Sequence, residues 1–138
     1  MTSVATESSR ELRRRYASLV CQLRTEAGLT QQAVGQAVGL HRVYISRFET
    51  GVVNISLNNL HKLLQFLAPD DDLRPLTVRL AENLKRRRAD LSQEAFAAGL
   101  ELPVLLISRL ERAAVSTSID QVARVAEKLG IEGEALLK

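Results

Sequence analysis

Arg42, Val43 and Arg47, with His41, Tyr44 and Ser46 around them, gather two guanidinium forks, an apolar group and three polar side chains into a short stretch. An arginine fork can donate two hydrogen bonds to a guanine edge. A valine can touch a thymine methyl, and a second arginine can reach a base or a phosphate. Catalytic chemistry is served poorly by contrast. His41 and His61 stand 20 residues apart, without cysteines or paired carboxylates at metal-ligand spacing. There is no glycine-rich phosphate loop, and no nucleophile has a base beside it. Asp70-Asp71-Asp72 could attract a cation but reads as solvated linker charge. No enzyme activity, bound metal or cofactor is expected.

The elements that must position these residues recur along the chain. Leu29-Thr30-Gln31-Gln32-Ala33 returns as Leu91-Ser92-Gln93-Glu94-Ala95, and Ile45-Ser46-Arg47-Phe48-Glu49 as Ile107-Ser108-Arg109-Leu110-Glu111. The offset is 62 in both cases (29 to 91, 45 to 107). A constant offset implies that spacing inside each copy is fixed by a shared three-dimensional arrangement. With 138 residues, the chain can hold two small helical units. Ser8-Ser9-Arg10-Glu11 resembles a capping box after a short arm over 1–7, opening a first helix to about Ala27. Gly28 is a stop, Thr30 caps a second helix ending near Val38, and Gly39 suits a left-handed turn. A third helix is expected from His41 to Glu49, stopped by Gly51. Ser56 caps a fourth through Leu57, Leu60, Leu63, Leu64 and Leu67, with His61 on its exposed side. The second copy repeats this: Leu76–Arg88, a helix capped by Ser92, one with Pro103 at its first position, and one opened by Ser118-Ile119-Asp120-Gln121. Ile131–Leu137 adds a short final helix. Strand signals are weak.

Net charge is +3, mildly basic and compatible with nucleic acid. Arg13-Arg14-Arg15 and Lys85-Arg86-Arg87-Arg88 can each be a solvated helix face. Cys21 is the only cysteine and reads as a small core-facing thiol. No apolar run approaches the ~18 residues of a membrane span. Residues 1–7 lack a basic stretch followed by an apolar one, so a cytoplasmic protein that avoids membranes is expected.

A short helix, a glycine turn and a second short helix describe a helix-turn-helix. The run Leu29, Thr30, Gln31, Gly35, Gly39-Leu40 and Ile45-Ser46-Arg47-Phe48-Glu49-Thr50-Gly51 resembles the phage repressor and Cro family, also called the Xre family. The likeness covers about Tyr16 to Leu67, and more loosely Leu84 to Leu129. It implies an all-α fold of two tandem helix-turn-helix domains, each of four to five helices and lambda-repressor-like. These are a DNA-binding domain over 8–68, a linker over 69–75 and a diverged domain over 76–138. It further implies that His41, Arg42, Val43 and Arg47 read bases in double-stranded DNA. Gln31, Tyr44, Ser46, Thr50 and Asn54 then contact phosphates. The family commonly pairs an Arg ending its first helix with a Glu ending its third, so Arg24 is expected on Glu49 and Arg86 on Glu111.

The copies differ where reading would occur. The second has Pro103, Val104, Leu105 and Leu106, which cannot hydrogen-bond to base edges, and Glu101 and Ala113 in place of Gly39 and Gly51. An exposed apolar face usually marks an interface. Pro103–Leu106 is therefore expected to bind protein, a second copy or another partner, unless a shifted turn at Gly99 buries it. The leading expectation is a transcription regulator, a repressor that dimerises on a two-fold related operator. Two alternatives stand: a covalent pseudo-dimer with both units on DNA, and an antitoxin- or antiactivator-type protein whose main target is a protein.

Overall fold

Hydroxyl side chains decide where most helices begin. Thr30, Ser56, Ser92 and Ser118 each accept a hydrogen bond from a backbone N–H three residues on, at Ala33, Asn59, Ala95 and Gln121. The computed structural model describes residues 6–70, 72–113 and 117–138. Residues 1–5 of the expected arm and Asp71 of the expected linker lie outside these. The described residues form α1 (Glu7–Glu26), α2 (Gln31–Val38), α3 (Arg42–Glu49), α4 (Leu57–Leu67), α5 (Leu76–Arg88), α6 (Gln93–Leu100), α7 (Val104–Arg112) and α8 (Ile119–Leu129). A 3-10 turn, Gly133–Leu136, stands where a final helix was expected. The all-α class read from the sequence is what forms.

Three starts differ from expectation, the smallest change being at α3, where His41 is the cap and Arg42 the first helical residue. Thr6, not Ser8, caps α1 by accepting from the N–H of Ser9, so the helix has begun before the expected capping box. Glu11 is then free to reach along the helix toward Arg15, at 3.8 Å. Pro103 is the cap residue of α7 and Val104 its first helical residue.

The turns show what glycine supplies and what its absence costs. Gly39 and Gly51 have φ of 76° and 80°. Glu101 and Ala113, 62 positions on, keep the same left-handed backbone at φ 56° and 52°. The turn is therefore retained without a shift to Gly99, which lies inside α6. An L-residue in that region costs roughly 1–2 kcal/mol. Gly35 is required for another reason: a Cβ there would lie 2.3 Å from the carbonyl oxygen of Leu40.

The two halves meet in a pairing that their sequence offset makes symmetric. The N–H of Leu57 donates to the carbonyl of Thr117 at 2.7 Å, and that of Ile119 to Ile55 at 2.9 Å. Ser56 and Ser118 face each other in an antiparallel bridge. Adding 62 to 55 and 57 gives 117 and 119, so exchanging the halves exchanges the two bonds. The local relation is two-fold. Around it, α1 packs along α8 and α4 against α5. The core is continuous, running from Leu12, Tyr16 and Val20 through Leu57, Leu60 and Leu63 to Leu80, Leu84, Val122 and Val125. Each fully buried leucine contributes about 1.5–3 kcal/mol. The symmetry is approximate. Arg13 makes a two-bonded ion pair with Asp120, its Nε 2.8 Å from Oδ1, whereas positions 75 and 58 hold Pro and Asn. His61, expected on the exposed side of α4, is half-buried because α5 packs against that helix. Burial, aided by nearby Arg79, pushes its pKa down.

Candidate nucleic-acid interface

Helical spacing gives α3 two faces. Ile45 and Phe48 are fully buried, while Arg42, Val43, Ser46 and Arg47 are exposed together on the opposite side. The Val43 side is 43 % exposed, an apolar contact available beside two guanidinium groups. Among the described residues neither Arg42 nor Arg47 is engaged by a carboxylate within 4.0 Å. His41 is exposed at the end of this face, but as the cap residue. Its Nδ1 accepts the N–H of Val43 at 3.1 Å, which leaves Nε2 for any contact outward.

The residues expected on phosphates divide into two sets. Ser46 belongs to the exposed face. Tyr44 is half-buried, and its hydroxyl accepts from Asn59 Nδ2 at 3.1 Å, a partner on α4 that sequence reasoning missed. Thr50 is exposed with its hydroxyl donating to the carbonyl of Arg47. Asn54 accepts from the N–H of Asp120 at 3.1 Å, so its side chain ties the halves together. Gln31 stands at the start of α2, and its amide donates to Glu49 Oε1 at 3.1 Å. Arg13, expected on a solvated helix face, is instead half-buried between the halves. Besides Asp120, its Nη1 donates to the carbonyl of Val52 at 2.7 Å and so holds the loop after α3.

This face stands on an ion pair. Arg24 donates from Nε and Nη2 to both oxygens of Glu49, at 2.7 and 2.8 Å, and from Nη1 to the carbonyl of Leu29 at 2.8 Å. The fork locks the end of α1 to the end of α3 and to the start of α2. Burial pushes the Glu49 carboxyl up, but the bonds from Arg24 and Gln31 outweigh it and hold it below the usual range. Cys21, expected in the core, is half-buried with its Sγ 4.0 Å from Arg24 Nη2.

The second half builds the same support with a different arginine. Glu111 is held by Arg88, not by Arg86: Nε and Nη2 of Arg88 donate to it at 2.8 and 2.9 Å. Gln93 adds a bond at 3.0 Å, and Arg88 Nη1 donates to the carbonyl of Leu91 at 2.7 Å. Leu91 and Gln93 are the counterparts of Leu29 and Gln31. Arg86 is exposed and turns back to Asn83 Oδ1 at 2.9 Å. The reason lies where the helix ends. After α1 the left-handed residue is Gly28; after α5 that place is Asp90, and the positive φ moves to Ala89, at 51°. The chain leaves α5 by another path, and the last helical residue takes the site. The missing glycine at 90 was the available signal. Glu111 is nearly fully buried. Burial raises its carboxyl, while Arg88 and Gln93 lower it further, leaving it below the usual range.

The face of α7 has the same phase and other chemistry. Ile107 and Leu110 are buried, as Ile45 and Phe48 are. Pro103, Val104 and Leu105 are exposed, the last by 53 %, and Leu106 is half-buried against the core. Arg109 and Arg112 are exposed farther along the helix.

Among the described residues no three or more His, Cys, Asp and Glu groups gather as metal ligands, and no helix is long and apolar enough to cross a membrane. Residues 22–68, from inside α1 to the cap after α4, match the helix-turn-helix family. No curated protein and no solved structure matches the chain.

Proposed function

We propose, on the match of residues 22–68 to the helix-turn-helix family, that this protein is a sequence-specific regulator of transcription whose α3 reads base edges in the major groove. The carrying observation is the exposed group Arg42, Val43, Ser46 and Arg47 on one side of a helix whose other side is locked into the core. Arg42 at the N-terminal turn is the guanine reader, with Val43 beside it for a thymine methyl. His41 contributes through Nε2. Arg47 reaches a base or, with Ser46 and the second amide hydrogen of Gln31, a flanking phosphate, whereas Thr50, whose hydroxyl hydrogen goes to the Arg47 carbonyl, serves to close α3. Tyr44 and Asn54 act mainly by fixing the frame. Repression, by blocking polymerase at the operator, is the outcome expected.

Two assemblies fit this reading. Exposure of Val104 and Leu105 supports a homodimer on a two-fold related operator, or a protein partner held on that face. The Ser56–Ser118 pairing supports a single chain spanning two half-sites. Selection of bound sequences from random DNA, at ~0.15 M salt, tests the common premise. Arg42→Ala is expected to weaken the selected site by about 1–3 kcal/mol and to relax preference at one position. If the intact chain enriches no sequence, the proposal fails.

A further inference from the structure

A helix-turn-helix pair that reads two half-sites is related by a two-fold axis, which leaves both heads at the same level along it. The Ser56–Ser118 pairing supplies such a relation inside one chain, since its two backbone bonds exchange when the halves do. It carries α3 toward α7 and Arg47 toward Arg109 (47 + 62 = 109). Thr50 maps to Arg112 by the same offset.

The mapped positions change character along α7. At its N-terminal end, where bases would be met, Val104 and Leu105 offer no hydrogen-bonding atoms in their side chains. Glu94 in the first turn of α6 and Glu101 at its end, in the turn that leads into α7, are both exposed, although Lys128 lies 4.0 Å from Glu101. Those carboxylates oppose phosphate and confine any approach to the far end of the helix. There Arg109 and Arg112 are both exposed, and no carboxylate among the described residues lies within salt-bridge distance of either. A guanidinium pair held outward on a rigid helix suits phosphate oxygens without reading sequence.

We propose that the second half is a sequence-blind clamp: Arg109 and Arg112 grip the backbone of the DNA adjoining the half-site that α3 reads, so that one chain occupies both. This rests on the DNA-reading role of α3.

The test uses the full chain with Arg109→Ala/Arg112→Ala, Arg109→Lys/Arg112→Lys and, separately, Arg42→Ala, on a site selected by the unaltered protein. Binding is measured across a salt series, with stoichiometry and a hydroxyl-radical footprint. We expect one chain per duplex, protection over two segments about one helical turn apart, and base preference in only one of them. The double alanine variant should lower affinity about tenfold or more near 0.15 M salt. It should reduce the slope of log affinity against log salt by about 2, and leave base preference unchanged. The double lysine variant should restore the slope. Both arginines are exposed, so thermal melting should be unaltered. An unchanged slope overturns the clamp. Two chains per duplex with a symmetric motif also overturns it, and assigns the Val104–Leu105 face to a second copy. In either case the reading role of α3 stands if Arg42→Ala still loses selectivity, and falls if it does not.

Discussion

The outward faces of α3 and α7 are the same surface built twice. Each helix buries an isoleucine and an aromatic or leucine three residues on, and each is anchored by a carboxylate gripped by an arginine and a glutamine. One presents Arg42, Val43, Ser46 and Arg47; the other presents Val104, Leu105 and Arg109. The frame that orients the helix and the side chains that the helix presents are thus separable. The anchor is present in both halves whatever the helix presents, because removing either partner would strand a buried charge, a penalty on folding.

The anchors provide the largest test of this comparison. Arg24→Ala should cost about 3 kcal/mol in denaturant melts, and Arg88→Ala should also be clearly destabilising, because each leaves a buried glutamate uncompensated. Arg86→Ala, on an exposed residue, should stay within about 0.5 kcal/mol. A greater loss at Arg86 than at Arg88 would refute the assignment. Next is Gly35→Ala. The added methyl meets the Leu40 carbonyl at 2.3 Å, and a loss of about 1–3 kcal/mol is expected in thermal melts. Its counterpart is already Ala97, buried under the same kind of turn bond, 3.0 Å from Leu102 N to Ala97 O against 2.9 Å from Leu40 N to Gly35 O. The second turn has accommodated what the first cannot, so equal tolerance at both positions would erase the distinction.

Acid should act on both anchors. Glu49 and Glu111 are held below the usual carboxylate range when folded, so the unfolded chain binds more protons in mild acid. Their contribution is complete above the unfolded pKa and is lost as pH falls through the folded one. Melting curves from pH 7 to 3 should show this decline, and Glu49→Gln should flatten it at the expense of stability at pH 7. The smallest effect concerns the turns. Glu101→Gly and Ala113→Gly should each add up to about 1 kcal/mol, since both residues hold a left-handed φ that glycine adopts without strain. No gain at either would mean that the entropy glycine loses on folding cancels the relief.

Much of this was legible in the residues. Pro75 and the basic run ending at Arg88 bracket α5, and the hydroxyl caps place α2, α4, α6 and α8. The alternation of Ile45 and Phe48 with arginines shows which side of α3 faces out. What stayed hidden depends on partners far along the chain. Choosing Arg88 over Arg86 required knowing that Ala89 takes the left-handed φ. The engagement of Asn54 by Asp120 and the half-burial of His61 follow from how the halves dock. The Ser56–Ser118 bridge involves too few residues to leave an alternating pattern, so only the shared offset hinted at it.

That bridge has a consequence for how such a molecule can change over generations. In an assembly of identical subunits every substitution is made twice, and an improvement at one contact is imposed on the other. Here the residues flanking Ser56 and those flanking Ser118 are encoded separately. Glu101 stands at the turn position that Gly39 fills in the first half, and Val104 and Leu105 stand at the positions of Arg42 and Val43. Covalent pairing releases each half from copying the other.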